Sequence, residues 1–314
     1  MRVLVTGGAG FVGVHLADQL LRLPHITAVT VLDICRHTAA PQALATSCRI
    51  RLVHGTVLDD ELVTDLVTEC DAVIHLAAET FVDASIADDH RFVDTNFTGT
   101  AVLLRVLRNL GGRRLLHVST DEVFGETTGE PFTEATPYRP RNPYAATKAA
   151  ADHLVRAYTV THGLDAVICH CSNLFGRWQY PEKLIPVTVA RLLRGEPARV
   201  YGTGHQSRTW LHVTDAAAGL LAALGSGGSG QSYLIGGDCE LTTLDVVGRI
   251  AELMNIPAER AITFVADRPG HDHRYATDTS KARHELGWKP VTEFETGLED
   301  TVTWMIEHEG WWQQ

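Results

Sequence analysis

The sequence predicts an α/β fold, a doubly wound parallel sheet with a smaller, mixed α/β C-terminal substrate domain. Three observations predict it. Short β-branched and leucine-rich runs alternate with helical patterns through the first half of the chain, which implies a right-handed parallel sheet. The first run opens on a glycine-rich turn into a helix. The 314 residues exceed one small core and suggest unequal domains sharing a sheet. A hydrophobic fraction of 45% and a charged fraction of 21% are those of a globular chain. The net charge of −11 argues against nucleic acid or an anionic membrane as partner. No stretch approaches a membrane span, and Met1 runs straight into Arg2-Val3-Leu4-Val5, so no signal peptide is expected. Cysteines 35, 48, 70, 169, 171 and 239 lack metal-ligand spacing. They read as reduced thiols of a cytoplasmic protein, and no metal site is expected.

Val3–Val5 is the first strand, and Thr6 to Gly13 turns into a helix bearing Val14, Leu16, Ala17, Leu20 and Leu21. Gly7, Gly10 and Gly13 form Gly-x-x-Gly-x-x-Gly in a strand-turn-helix context, a Rossmann-type dinucleotide signature. Helix N-terminal amides, with Phe11 and Val12 in the first turn, then face a pyrophosphate. The strand Ala28–Leu32 ends in Asp33, about twenty residues after the last glycine, where a carboxylate suits the ribose hydroxyls of NAD and repels the 2′-phosphate of NADP. Arg36 lies near enough to complicate that choice.

Further strands are expected at Ile50–Val53 and Ala72–Leu76, with a helix between them from Glu61 to Val67. Ala77 and Ala78 follow the fourth strand and are small enough for a cofactor to lie close; packing alone accounts for them equally well. A long helical pattern from Asp89 to Leu110 carries Asn96 and Thr100 on an apolar stripe, where Asn96 faces a cofactor or both are bonded locally. The strand Arg114–His117 leads through Val118, Ser119 and Thr120 to an acidic pair, Asp121-Glu122. Ligands of open parallel sheets bind outside the strands' carboxyl ends, and two carboxyls tuned apart serve as acid and base, although such a pair is more often a turn or cap. After a loop rich in Pro, Thr and Glu, Asn142-Pro143 begins a helix with Tyr144 and Lys148 four residues apart. On one helix face the ammonium sits beside the phenol and favours its ionised form.

These motifs resemble those of extended short-chain dehydrogenases/reductases and, more narrowly, of dTDP-glucose 4,6-dehydratases. The narrower likeness rests on Ser-Thr-Asp-Glu-Val-Phe-Gly at 119–125, Asn-Pro-Tyr-x-x-x-Lys at 142–148, Ser172-Asn173 and Tyr-Pro-Glu-Lys-Leu-Ile-Pro at 180–186. Val200-Tyr201-Gly202, Arg208-x-Trp210-Leu211-His212-Val213, Ile235-Gly236-Gly237 and the run from Asp267 to Asp272 extend it along the chain. The resemblance implies a bound nucleoside-diphosphate hexose, dTDP-glucose foremost, and NAD retained through a redox-neutral cycle. Tyr144, supported by Lys148 and Thr120, takes the 4-hydroxyl proton while hydride passes to NAD. Glu122 removes the carbon-5 proton, Asp121 protonates the departing 6-hydroxyl, and hydride returns to carbon 6. Ser119, Thr56 and Val57 fall at cofactor positions, and Thr120, Asn173, Leu184 and Tyr201 at substrate positions. Lys183, Arg208, Arg268 and His271 are candidates for the diphosphate.

The expected NAD-binding domain is 1–174 with 205–237 returning to it, and 175–204 with 238–314 form the nucleotide-sugar domain. Helices are expected from Leu184 to Leu193, from Val213 to Leu224 and near the C-terminus, which finishes in exposed-looking Trp311 and Trp312. A homodimer through the helices near 96–110 and 143–161 is implied by the resemblance. Departures from the family pattern are Thr56-Val57 for Asp-Ile, Phe81 and Ala84 for His and Arg, Leu174, Phe175 and Arg177 in an altered run, Arg199 for a proline and Cys239 for an Asn. None touches the five catalytic positions; several touch sugar or base recognition, and they fit a specialised supply of deoxysugars such as secondary metabolism. The alternatives are a dehydratase of a UDP- or GDP-linked hexose, an epimerase or decarboxylase on the same scaffold, which the acidic pair argues against, and a non-catalytic NAD-binding sensor.

Overall fold

The computed structural model describes residues 1–36, 44 and 47–312, and the side chains of Trp311 and Trp312, expected to be exposed, lie outside the described residues. The first six strands are β1 (Arg2–Thr6), β2 (Ala28–Asp33), β3 (Ile50–His54), β4 (Ala72–His75), β5 (Arg114–Thr120) and β6 (Ala166–Cys171). They are followed by β7 (Asn173–Phe175), β8 (Ala198–Tyr201), β9 (Ser207–His212), β10 (Ser232–Ile235), β11 (Cys239–Thr242) and β12 (Ile262–Val265). Seven of them form one parallel sheet in the order β10-β6-β5-β4-β1-β2-β3. The order reverses between β1 and β4, which opens a crevice at their carboxyl ends.

Helices α1 (Phe11–Arg22), α2 (Asp60–Thr68), α3 (Gly99–Leu110) and α4 (Pro143–His162) connect these strands. A parallel sheet must be covered on both faces, and side-chain alternation achieves that here. Val3, Val5, Ala72 and Ile74 join a core with Leu16 and Leu20 of α1, whereas Leu4 and Val73 between them join another with Leu103 and Leu107 of α3. The helix expected over 89–110 is present but irregular: after a turn at His90–Phe92, residues Val93–Thr98 wind as a π-helix before α3. Fully buried Phe92 anchors its start and nearly inaccessible Asn96 lies within it.

The second half adds α5 (Leu184–Leu193), α6 (Val213–Ser226), α7 (Thr243–Leu253) and α8 (Phe294–Glu307). Within the segment 205–237, α6 packs on α1 and β10 pairs with β6, while β9 pairs with β7 and β11 in a separate three-stranded sheet. Strands β8 and β12 form a two-stranded parallel pair. Phe175, Ile185, Val189, Trp210, Phe294 and Trp304 are part of a third core beneath the small sheet. Among the described residues, no helix is long and apolar enough to cross a membrane.

Gly7 sits at the end of β1 with φ +70°, and a Cβ there would lie 2.6 Å from the Ala77 backbone nitrogen. Gly13 has the same role one helical turn on, its added Cβ falling 2.4 Å from Gly8 Cα. These two glycines let β1, α1 and the end of β4 converge. Replacing Gly7 with Ala adds a strained φ and a backbone clash, so it is expected to lower the unfolding free energy by roughly 1–3 kcal/mol and to weaken dinucleotide binding. Urea denaturation and NAD titration of the variant check both.

Candidate active site

The cavity at the sheet's reversal point holds about 430 Å³. One end is built by Gly7, Gly10, Phe11, Val12 and Gly13. Gly10 caps α1 without a side-chain hydrogen bond, which leaves the first-turn amides facing the cavity for an anion. At the rim, Asp33 is fixed by the amides of Ala9 (3.0 Å) and Cys35 (2.7 Å). Arg36 is held by Glu79 at 2.6 Å. Thr56 and Val57 form the opposite wall with Ala77 and Ala78. The free amides, the aimed carboxylate and the small-residue floor fit a dinucleotide. Asn96 is not among the lining residues. Its amide accepts from Glu79 N (2.8 Å) and donates to Glu79 O (3.0 Å) and Thr147 Oγ1 (3.0 Å), so it acts on the cavity through the wall it holds.

The acidic pair begins a 3₁₀ turn, Asp121–Phe124, whose first amide bond is closed by the Thr120 hydroxyl accepting from Glu122 N at 3.2 Å. Val123 and Phe124 anchor that turn in the core, Phe124 stacking on Phe132 with ring centroids 5.3 Å apart. Asp121 is thereby drawn inside, at 1% exposure, while Glu122 stays partly accessible. Burial, then the Glu122 charge, pushes the Asp121 carboxyl up to about 8. Asp121 lines the cavity, and its Oδ2 is buried without a hydrogen-bond partner. Asn142 caps α4 by accepting from Ala145 N (2.8 Å) and donates to Glu122 Oε2 (3.2 Å), so one residue starts the helix and steadies the carboxylate. The Asn-Pro pair signalled the helix start; the contact to Glu122 has no sequence signal.

Tyr144 and Lys148 line the same cavity from α4. The expected easing of Tyr144 ionisation is not what the structure gives. Lys148 Nζ donates to Val118 O at 2.8 Å, and burial lowers its affinity for a proton. Tyr144 is pushed above its ordinary range by burial first and the Glu122 carboxylate second, against an opposing hydrogen bond from Thr120. A phenol this deep beside two carboxyls stays protonated unless further positive charge enters the site.

A group absent from the sequence reading holds these parts in register. Asp152, one turn beyond Lys148, is completely buried; it accepts from Ser119 Oγ (2.8 Å) and Tyr138 OH (3.1 Å), with His170 Nε2 at 3.1 Å. His117 Nε2 also lies 3.1 Å away but out of line for a hydrogen bond. Burial raises the Asp152 carboxyl's proton affinity, and the two neighbouring imidazoles outweigh it, holding the group below the usual carboxylate range. Burial pushes His117 down to about 4.

Of the predicted substrate residues, Asn173, Lys183 and Leu184 line the cavity with Thr120. Lys183 Nζ donates to Thr80 O at 2.6 Å. Tyr201, Arg208, Arg268 and His271 do not line it. Tyr201 and Arg268 converge on Asp83, at 3.0 and 3.3 Å, and His271 pairs with Asp267 at 2.6 Å. Arg208 donates to the carbonyls of Ser207 (2.7 Å), Asp272 (2.8 Å) and His273 (3.3 Å) and lies over the Tyr275 ring. Cys171, Trp178, Gln179 and Trp210 complete the inner wall.

The family model described as GDP-mannose 4,6 dehydratase matches residues 4–301. A dTDP-glucose 4,6-dehydratase of Mycolicibacterium smegmatis is 44% identical, over 100% of this chain and 96% of its own length. The chain belongs to the dTDP-glucose 4,6-dehydratase family. A Salmonella typhimurium relative of that name is 39% identical over 99% of this chain and 94% of its own. DesIV, a family member from Streptomyces venezuelae solved with NAD and dTDP bound, superposes with a TM-score of 0.96 at 42% identity, covering 100% of this chain and 99% of that one. UDP-glucuronic acid 4-epimerase of Bacillus cereus, at 27% identity, covers 98% of this chain and 99% of its own with a TM-score of 0.92. The fold is thus shared with epimerases, and what separates the dTDP-glucose 4,6-dehydratase reading must come from the site.

Two stability outcomes follow. Asp152→Ala leaves Ser119, Tyr138 and two imidazoles facing a void and is expected to cost about 3–5 kcal/mol in chemical denaturation, with Asp152→Asn costing less. Asp121 binds its proton more tightly folded than unfolded, so its contribution is full at low pH and lost as pH rises toward about 8. Asp121→Asn does not titrate. Its stability relative to the parent is expected to grow by roughly 1.4 kcal/mol per pH unit through that window and to level off above it, read from denaturation midpoints across pH.

Proposed function

We propose that the protein is a dTDP-glucose 4,6-dehydratase, a hydro-lyase that converts dTDP-glucose to dTDP-4-keto-6-deoxyglucose in deoxysugar biosynthesis. The observation that carries this reading is the pair Asp121 and Glu122, adjacent at the end of β5 yet unlike in environment, facing one cavity with Tyr144. Elimination of water across carbons 5 and 6 needs a base and an acid together, and a buried carboxyl that keeps its proton near neutral pH beside a more accessible one supplies both.

NAD held along the glycine turn, Asp33 and Ala77–Ala78 would supply a cationic ring that favours the Tyr144 phenolate, takes hydride from carbon 4 and returns it to carbon 6. Tyr144 receives the 4-hydroxyl proton, with Thr120 hydrogen-bonded to it and Lys148 adding positive charge beneath. The new carbonyl acidifies carbon 5, whose proton goes to Glu122, steadied by Asn142. Asp121 gives its proton to the departing 6-hydroxyl. Asn173, Lys183 and Leu184 would hold the nucleotide end of the substrate. The homodimer and the cytoplasmic setting belong to the same proposal, supported by six free cysteines and by exposed Ile86, ahead of the π-helical turn, and exposed Val93, its first residue.

Mass spectrometry of reactions with dTDP-glucose, UDP-glucose, UDP-N-acetylglucosamine and GDP-mannose, with and without added NAD, tests the reading. Loss of one water from dTDP-glucose is expected; no mass change with any donor would sink it. Asp121→Asn is expected to lower turnover by roughly 10²–10⁴-fold while still forming the reduced-cofactor absorbance with dTDP-glucose, because oxidation at carbon 4 precedes the step it blocks. Tyr144→Phe is expected to lose both signals.

A further inference from the structure

The proton count of this reaction does not return the site to its starting state. Oxidation at carbon 4 leaves a proton on Tyr144. Elimination moves the carbon-5 proton to Glu122 and the Asp121 proton into water. When carbon 6 receives hydride, carbon 5 takes back the proton on Glu122. After one turnover Glu122 is restored, but Tyr144 holds one proton too many and Asp121 one too few. Solvent is poorly placed to correct this, since Asp121 is 1% exposed and Tyr144 is 7% exposed.

One hydroxyl lies between the two. The Thr120 side chain neighbours the Tyr144 phenol and favours its ionised form, while Thr120 Oγ1 lies 3.5 Å from Asp121 Oδ1 and accepts from Glu122 N at 3.2 Å. A hydroxyl has one proton to give and two lone pairs. With the Glu122 amide on one lone pair, the other accepts from Tyr144 while the O–H points at Asp121. That polarity is the one set by the charges left after turnover, when the phenol holds a proton to give and the Asp121 carboxylate accepts; the capped turn holds the Thr120 hydroxyl in place between them. The 3.5 Å contact is long, as hydrogen bonds of catalytic groups often are before substrate tightens them. The neighbouring Ser119 hydroxyl is committed to Asp152, and Lys148 points at Val118 O.

We propose that Thr120 is the proton relay that resets the site, passing the proton gained by Tyr144 to Asp121 once per turnover. The Tyr144 O–H breaks as Thr120 Oγ1 gains its proton, and the original Thr120 O–H breaks as Asp121 Oδ1 gains that one. No electron pair leaves the site and no co-reactant is needed. Protonation also relieves the Asp121 charge beside Glu122 in a buried position. The inference rests on the dehydratase reading.

Rapid-quench kinetics of the NAD-loaded protein with dTDP-glucose separates the two. Product from the wild type establishes the dehydratase reading by itself, and its absence removes that reading before any variant is compared. Thr120→Val is expected to form a burst of one dehydrated sugar per site and then turn over roughly 10²-fold more slowly, at a rate that rises with imidazole concentration as buffer replaces the relay. Thr120→Ser is expected to show neither burst nor buffer dependence. Difference infrared spectra after the burst should show the carboxylic acid band bleached in Thr120→Val and unchanged in the wild type. A Thr120→Val enzyme with no burst and no buffer dependence, an unbleached band, or a Thr120→Ser enzyme as slow as Thr120→Val overturns the relay.

Discussion

A carboxylate with no access to solvent governs the geometry of this site. Asp152 on α4 ties that helix to Ser119 near the end of β5, to His170 on β6 and to Tyr138 in the loop between β5 and α4. Lys148, one turn earlier, adds a bond to Val118 O. The helix that carries Tyr144 and the strand that delivers Thr120, Asp121 and Glu122 are therefore locked in register from below. Apolar contacts between a helix and a sheet tolerate sliding, whereas a buried charge with directional partners does not. The network's value lies in placement more than in net stabilisation, because desolvating the carboxylate offsets much of what its hydrogen bonds return.

Above this base, neighbours in sequence acquire opposite chemistry from their surroundings. Asp121 is pulled inward by the anchoring of Val123 and Phe124 and prefers its proton, while Glu122 remains partly accessible and receives a hydrogen bond from Asn142. A tight 3₁₀ turn suits that division, because successive side chains leave it in different directions. Lengthening the turn would place both carboxyls in similar water and erase their difference.

Much of this was legible because the constraints are local. Gly7 and Gly13 announce a turn where backbone approaches backbone, the spacing of Tyr144 and Lys148 follows from the helical repeat, and the strand end of the acidic pair follows from the alternation of elements. Unread parts depend on partners far apart in the chain. Asp152 is an ordinary helical residue until β5, the loop at 138 and β6 surround it, and Asn96 is an isolated polar residue until Glu79 and Thr147 meet it. The direction of Lys148, toward Val118 O and not the phenol, depends on a carbonyl thirty residues away. Arg208 shows the reverse limit: its neighbourhood matches a nucleotide motif, yet its guanidinium is engaged by the carbonyls of Ser207, Asp272 and His273.

The π-helical turn at Val93–Thr98 has a consequence for how this chain tolerates change. A π turn accommodates one residue more than an α turn without breaking the helix. Each residue of an α-helix advances about 100° around the axis. Deleting one residue here would restore a regular helix and rotate Asn96 away from Glu79, while the face of α3 beyond it stayed in the core. The extra residue is thus a phase adjustment. It lets one continuous helix present an apolar stripe to the sheet at one end and a polar amide to the cofactor wall at the other, two demands that a single helical repeat cannot meet.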